Sequence, residues 1–220
     1  MLKAQPTPKG TGVSIFGSYD DLICLYDTVH HLAGTLNAEN KYQKGQHQLL
    51  MNLAYEIRKG YSGSRLKETA TAVDEIYFLY GFQLVWTDVL IFIGALRDTA
   101  GYIQTDKLHQ ANLYMLEYIV EQALFAYDPT GAEAIRHYIA QRINVSSEYV
   151  FIIYQAIHIE YNSDRTGKTR FRKIPDLINK YFSTWSPDHK GLIASFQQSA
   201  KEQNCEVVDL EFSDFPEIKW

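Results

Sequence analysis

Arg58 and Arg65 flank the turn Gly60-Tyr61-Ser62-Gly63-Ser64. Two guanidinia beside a glycine-rich turn can clamp a carboxylate or phosphate, and the turn's N–H groups can add a nest. Tyr55 lies three residues before Arg58 on a predicted helix, and His30 and Trp86 complete this candidate ligand site. The bland alternative ties both arginines to backbone carbonyls, to Glu56 or to Asp74. A second basic group, Arg165, Lys168, Arg170, Arg172 and Lys173, sits with Tyr161 and Phe171. Such a mixture can hold a phosphate backbone and stack bases. Its alternative is a solvated loop paired with the acids Glu202, Glu206, Asp209, Glu211, Asp214 and Glu217. Gly167-Lys168-Thr169 is not a P-loop, because the upstream glycine is missing and no strand clearly precedes it.

The histidines are His30, His31, His47, His109, His137, His158 and His189. None forms a His-x-x-x-His pair around a glutamate, and none stands at zinc spacing from a cysteine. No metal and no cofactor is therefore expected. His30, His47 and Glu56 could converge if the first two helices pack antiparallel; otherwise these are surface or core-edge histidines. No Gly-x-Ser-x-Gly elbow or Gly-x-Gly-x-x-Gly loop is present. Asp20-Asp21 and Asp74-Glu75 sit where helix starts or loops explain them. No named reaction follows.

A net charge of −5 argues against non-specific binding of nucleic acid by the whole chain. Cys24 and Cys205 lack any CxxC spacing and read as free thiols of a reducing cytoplasm. Met1-Leu2-Lys3 is followed by Gln5-Pro6-Thr7-Pro8 rather than by an apolar leader. Residues 1–220 read as one domain, with polar, proline-bearing residues 1–10 as a flexible arm.

The elements are set around residues 74–97. Ile76 to Val85 is aromatic and aliphatic, which favours a strand. Thr87 reads as an N-cap and Asp88 as a first-turn acid for a helix apolar on every side through Leu96, which Arg97 and Gly101 close. A helix without a polar face is buried all round. The combined run is long enough to cross a membrane, but Asp88 would then lie inside it, at a cost of roughly 2.5–3.5 kcal/mol. A soluble core is the expectation.

Around this centre the patterning predicts a short strand at 13–16 and helices capped by Ser18, from Tyr42 to Lys59, and from Thr105 to Tyr127. A further helix would open at a Thr130–Glu133 capping box and run through Ile143. Tyr149–Tyr161 reads as a helix, with Val150–Ile153 also compatible with a strand. Two more helices start near Pro175 and at Ser186-Pro187, the latter ending at Asn204. Residues 206–212 alternate weakly, as a strand would, and 66–74 give no clear signal. The fold class is α+β, predominantly helical, around a buried helix at about 88–99 with a small accessory sheet.

Thr7-Pro8, Thr11-Gly12-Val13, Ile15, Gly17, Asp21-Leu22, Leu25-Tyr26-Asp27 and His30 form one motif. Tyr55-Glu56-Ile57-Arg58, Gly60, Gly63 and Arg65 form another. Together they resemble an uncharacterised bacterial family of unknown function, over the first third of the chain and more weakly through Trp86. That family tends to have Trp-Pro where this chain has Trp86-Thr87, and histidine where it has Lys59, so no role for that histidine carries over. The resemblance implies a bacterial cytoplasmic protein and no activity. With sixteen tyrosines and eleven phenylalanines, an interaction module is the first expectation. It would self-associate or dock a bacterial protein. Small-ligand or anion binding at Arg58 and Arg65 is second, and nucleic-acid binding through 165–173 third.

Overall fold

Val85 ends a strand and Trp86 begins a helix with no loop between them. This junction organises the computed structural model, which describes residues 1–72, 75–139 and 143–220. Asp74 and its expected tie to the arginines lie outside the described residues. The strand, β4, is Glu75–Val85, and it is flanked in an antiparallel sheet by earlier strands: β1 (Lys3–Pro6), β2 (Gly12–Gly17) and β3 (Leu66–Ala72), in the order β1-β2-β4-β3. The register sets Gly12 opposite Val85 and Phe16 opposite Gly81. A Cβ on Gly12 would come within 2.0 Å of the Leu84 carbonyl oxygen, so the two strands can approach there only through glycine.

The helix, α3 below, is Trp86–Ala100, and every residue from Trp86 to Leu96 is buried. Before it come α1 (Tyr19–Ala33) and α2 (Lys41–Tyr61), which pack on each other and beside β4. After it come α4 (Lys107–Tyr127), α5 (Pro129–Ile135), α6 (Val150–Ser163), α7 (Lys168–Arg172), α8 (Ile174–Phe182) and α9 (Pro187–Gln203). The protein is therefore predominantly helical with a small four-stranded sheet, as its patterning predicts. One apolar cluster runs from the sheet through α3 to α8 and α9. None of the described helices is long and apolar enough to cross a membrane.

Local signals explain most boundaries. Ser18 caps α1 in a capping box with Asp21, Gly101 closes α3, Pro175 and Pro187 sit in first turns, and Asn204 ends α9 at φ 51°. Several expectations need correction. Residues 3–6 belong to the edge strand rather than to an arm: Leu2 is buried beside it, and Pro6 is tolerated because the edge needs no donor. Thr87 does not cap α3. The N-cap is Val85, while the Trp86 amide donates to the Thr11 carbonyl and the Thr87 hydroxyl to Asp88. Asp106, not Thr105, caps α4. The helix opened by Pro129 stops at Ile135 and gives way to a 3-10 turn at Arg136–Tyr138, and no Thr130–Glu133 box forms. Residues 206–212 hold only a 3-10 turn, Val207–Asp209. Val150–Ile153 is helical: α6 is buried on nearly all sides, and full burial removes the polar face that would have shown its period.

Candidate functional site

Asp88 is the third residue of α3 and His158 sits two turns into α6. The packing of α6 against α3 brings them together. His158 Nδ1 lies 2.8 Å from Asp88 Oδ2, and both residues are buried. The other carboxylate oxygen accepts from the Thr87 hydroxyl at 3.3 Å. An ionised carboxylate only accepts, so Nδ1 carries the proton and Nε2 is the free nitrogen. Nε2 has no hydrogen-bond partner among the described residues. Burial alone would push the imidazole's pKa down, but the charge of Asp88 and its hydrogen bond outweigh that and raise it above the ordinary 6.5. The amino-terminal end of α3 adds a positive dipole beside the carboxylate.

This pair lies in the wall of a cleft of about 580 Å³ between α2, α3, α6, the β3–β4 ribbon and residues 218–220. Tyr154, one turn before His158, lines the same space. Burial, and then the charges of Asp88 and Glu56, push its hydroxyl well above the usual phenol range, so it stays a neutral donor. Across the cleft, Arg65 grips Glu56 with two parallel bonds, Nε to Oε2 at 2.9 Å and Nη2 to Oε1 at 2.7 Å. Asn52, Tyr55, Ser64 and Gln83 supply further polar groups. Gln83 is fixed by donating to the Ser14 hydroxyl at 3.2 Å.

The residues singled out by sequence are only partly brought together. Tyr55 and Arg65 both line the cleft. Arg58 does not join Arg65 in a clamp; it is exposed, with its guanidinium 5.4 Å from the Tyr55 ring centroid. The His30 ring lies tilted against Tyr26, with centroids 4.4 Å apart, away from the cleft lining. Trp86 is fully buried and donates its indole N–H to the Gly10 carbonyl at 3.2 Å.

The basic group is mostly occupied internally, and its partners are not the acids of residues 202–217. Arg170 is buried, donating to the carbonyls of Tyr161 and Asp164 with its guanidinium over the Tyr161 ring. Arg172 holds Asp128 through two bonds, and Lys173 pairs with Asp164. Arg172's hydrogen bond keeps the Asp128 carboxyl below the usual carboxylate range against the opposing effect of burial. Arg165 and Lys168 are exposed. On the β3–β4 ribbon Ile76, Tyr77 and Phe78 are exposed, as are Tyr102, Tyr114, Tyr118 and Trp185 elsewhere on the surface. Among the described residues no three His, Cys, Asp or Glu side chains are grouped as metal ligands.

Sequence reasoning missed the Asp88–His158 pair. The signal was available: Asp88 immediately precedes the apolar run to Leu96 and His158 follows the mostly apolar Val150–Ile157, and ionisable groups buried in one core must satisfy each other.

These features define an α+β protein with a polar cleft whose wall holds a buried aspartate–histidine couple. The chain belongs to the family described as Domain of unknown function (DUF6904), which matches residues 2–220. The match covers nearly the whole chain and is consistent with an uncharacterised family. No curated protein matches the chain, and no solved structure matches it.

Proposed function

We propose that this protein binds a small polar molecule in the Asp88–His158 cleft and exchanges a proton with it, or with a water beside it, through His158 Nε2. The carrying observation is the buried 2.8 Å pair with its second imidazole nitrogen left unpartnered at a cleft. A titratable group with a shifted pKa, oriented by a specific partner in a concave site, is the usual arrangement of an acid–base residue. Asp88 fixes the ring and favours its protonated form; Tyr154 and the amides of Asn52 and Gln83 orient the ligand. Glu56 is matched by Arg65 and Asp88 by His158. The matched charges favour a neutral or zwitterionic molecule over a multiply charged anion. The reading keeps the protein in a bacterial cytoplasm, as the family resemblance implies, with Cys24 and Cys205 as thiols.

The test is equilibrium dialysis of the purified protein against a small-metabolite extract, with retained compounds identified by mass spectrometry. At least one neutral or zwitterionic compound should be held by the wild type and released by His158→Gln, with the variant still cooperatively folded. Identical retention by both proteins, or none by the wild type, would contradict the reading.

A further inference from the structure

After the 3-10 turn at Val207–Asp209 the chain forms no further helix or strand. Among the described residues, residues 211–220 make no backbone–backbone hydrogen bond to the rest of the protein. They are nevertheless placed by side chains. Leu210, buried, anchors the start. The Phe212 amide donates to Gln155 Oε1 at 2.8 Å, from a buried glutamine on α6. The Phe215 ring meets His158 edge-on, with centroids 5.9 Å apart. Further on, the buried Thr11 hydroxyl donates to the Lys219 carbonyl, and Ile218 and Trp220 form part of the cleft lining.

We propose that residues 211–220 are a strap across the mouth of the cleft, and that its release is the step that opens His158 to a ligand. The proposal rests on the cleft reading above. The walls and the strap differ in how they are held. The helices α3 and α6 are fixed by their own backbone ladders and by burial of most of their residues. The strap is fixed by two side-chain hydrogen bonds, the Phe215–His158 ring contact and the partly buried Ile218 and Trp220, and between the two hydrogen bonds Ser213, Asp214 and Glu217 face solvent. A segment with few buried contacts and no ladder opens at a small fraction of the cost of global unfolding. Because Phe215 touches the imidazole itself, opening changes the exposure of the group that would do the chemistry.

Carbethoxylation of His158 by diethylpyrocarbonate, followed by peptide mass spectrometry at mildly alkaline pH, reads this directly. In the full chain carrying Phe215→Ala and Trp220→Ala, His158 should react roughly tenfold faster than in the wild type, because the local opening no longer limits access. Exposed His137 serves as the internal reference and should not change. Gln155→Leu, which removes the anchor at the other end of the strap, should move His158 in the same direction while leaving both rings in place. If His158 reacts equally fast in all three proteins, the strap is overturned and the open cleft stands. If His158 is inert in all three, the cleft does not open to solvent, and both the strap and the reading beneath it fall.

Discussion

Replacing Asp88 with alanine is expected to destabilise the fold by about 3–5 kcal/mol near neutral pH, the usual cost of removing one partner of a buried pair and stranding the other. His158 would keep a buried N–H with no acceptor, and the Thr87 hydroxyl would lose its partner. The pH dependence gives the effect a signature. The imidazole's pKa is raised in the folded state, so the pair contributes fully below the unfolded value of 6.5 and progressively less as pH rises through the raised value. The difference between wild type and Asp88→Ala should therefore be largest in mild acid and shrink toward alkaline pH. Urea unfolding at two pH values measures it. A gap that stays constant, or widens with pH, would show that the pair is not charged in the folded protein.

Trp86→Ala should be as costly for a different reason. Trp86 is fully buried at the point where β4 becomes α3, in edge contact with Phe171 at 5.6 Å and tilted against Tyr127 at 6.4 Å. Losing a buried indole costs about 3–5 kcal/mol, because the surrounding rings collapse only partly into the space. The Gly10 carbonyl also loses its donor. Trp86→Phe keeps an aromatic ring in the core and loses that bond and part of the indole's volume, so its cost should fall to about 1–3 kcal/mol. Denaturant midpoints of the two variants measure how much of the loss a retained phenyl ring recovers; equal losses would contradict a packing origin. Since Asp88 follows Trp86 by two residues on the same helix, Trp86→Ala should also loosen the cleft.

What could be read from the sequence was local. Ser18, Gly101, Pro175 and Asn204 announce helix ends through their own side chains or backbone preferences. The apolar run from Val89 to Leu96 announces burial by lacking a polar face. The difficulties arose where partners are distant in the chain. β1 looks like a polar arm until β2 supplies its ladder. Thr87 looks like a cap until the Thr11 carbonyl, 75 residues earlier, takes the Trp86 amide instead. The site itself joins α3 to α6 across 70 residues, and neither local window contains both halves. For Arg65 the structure contains the bland alternative, a tie to Glu56. The spacing of Arg58 and Arg65 suggests a clamp, but Glu56 on α2 satisfies Arg65 through two bonds, and the Arg58 guanidinium lies over the Tyr55 ring instead. Tyr55 and Arg65 both line the cleft, because the turn after α2 brings β3 back along it.

The central claim is that His158 is an acid–base group held by Asp88 with its other nitrogen open to the cleft. Titrating the His158 ring by nuclear magnetic resonance, in the wild type and in Asp88→Asn, tests it most directly. The wild-type imidazole should titrate above the ordinary value, with Nδ1 protonated throughout and Nε2 changing protonation. In Asp88→Asn the amide can still accept from Nδ1, but the charge is gone, so burial should pull the pKa below that of the wild type. A wild-type ring that titrates at or below the ordinary value, or one that Asp88→Asn leaves unmoved, would contradict the account.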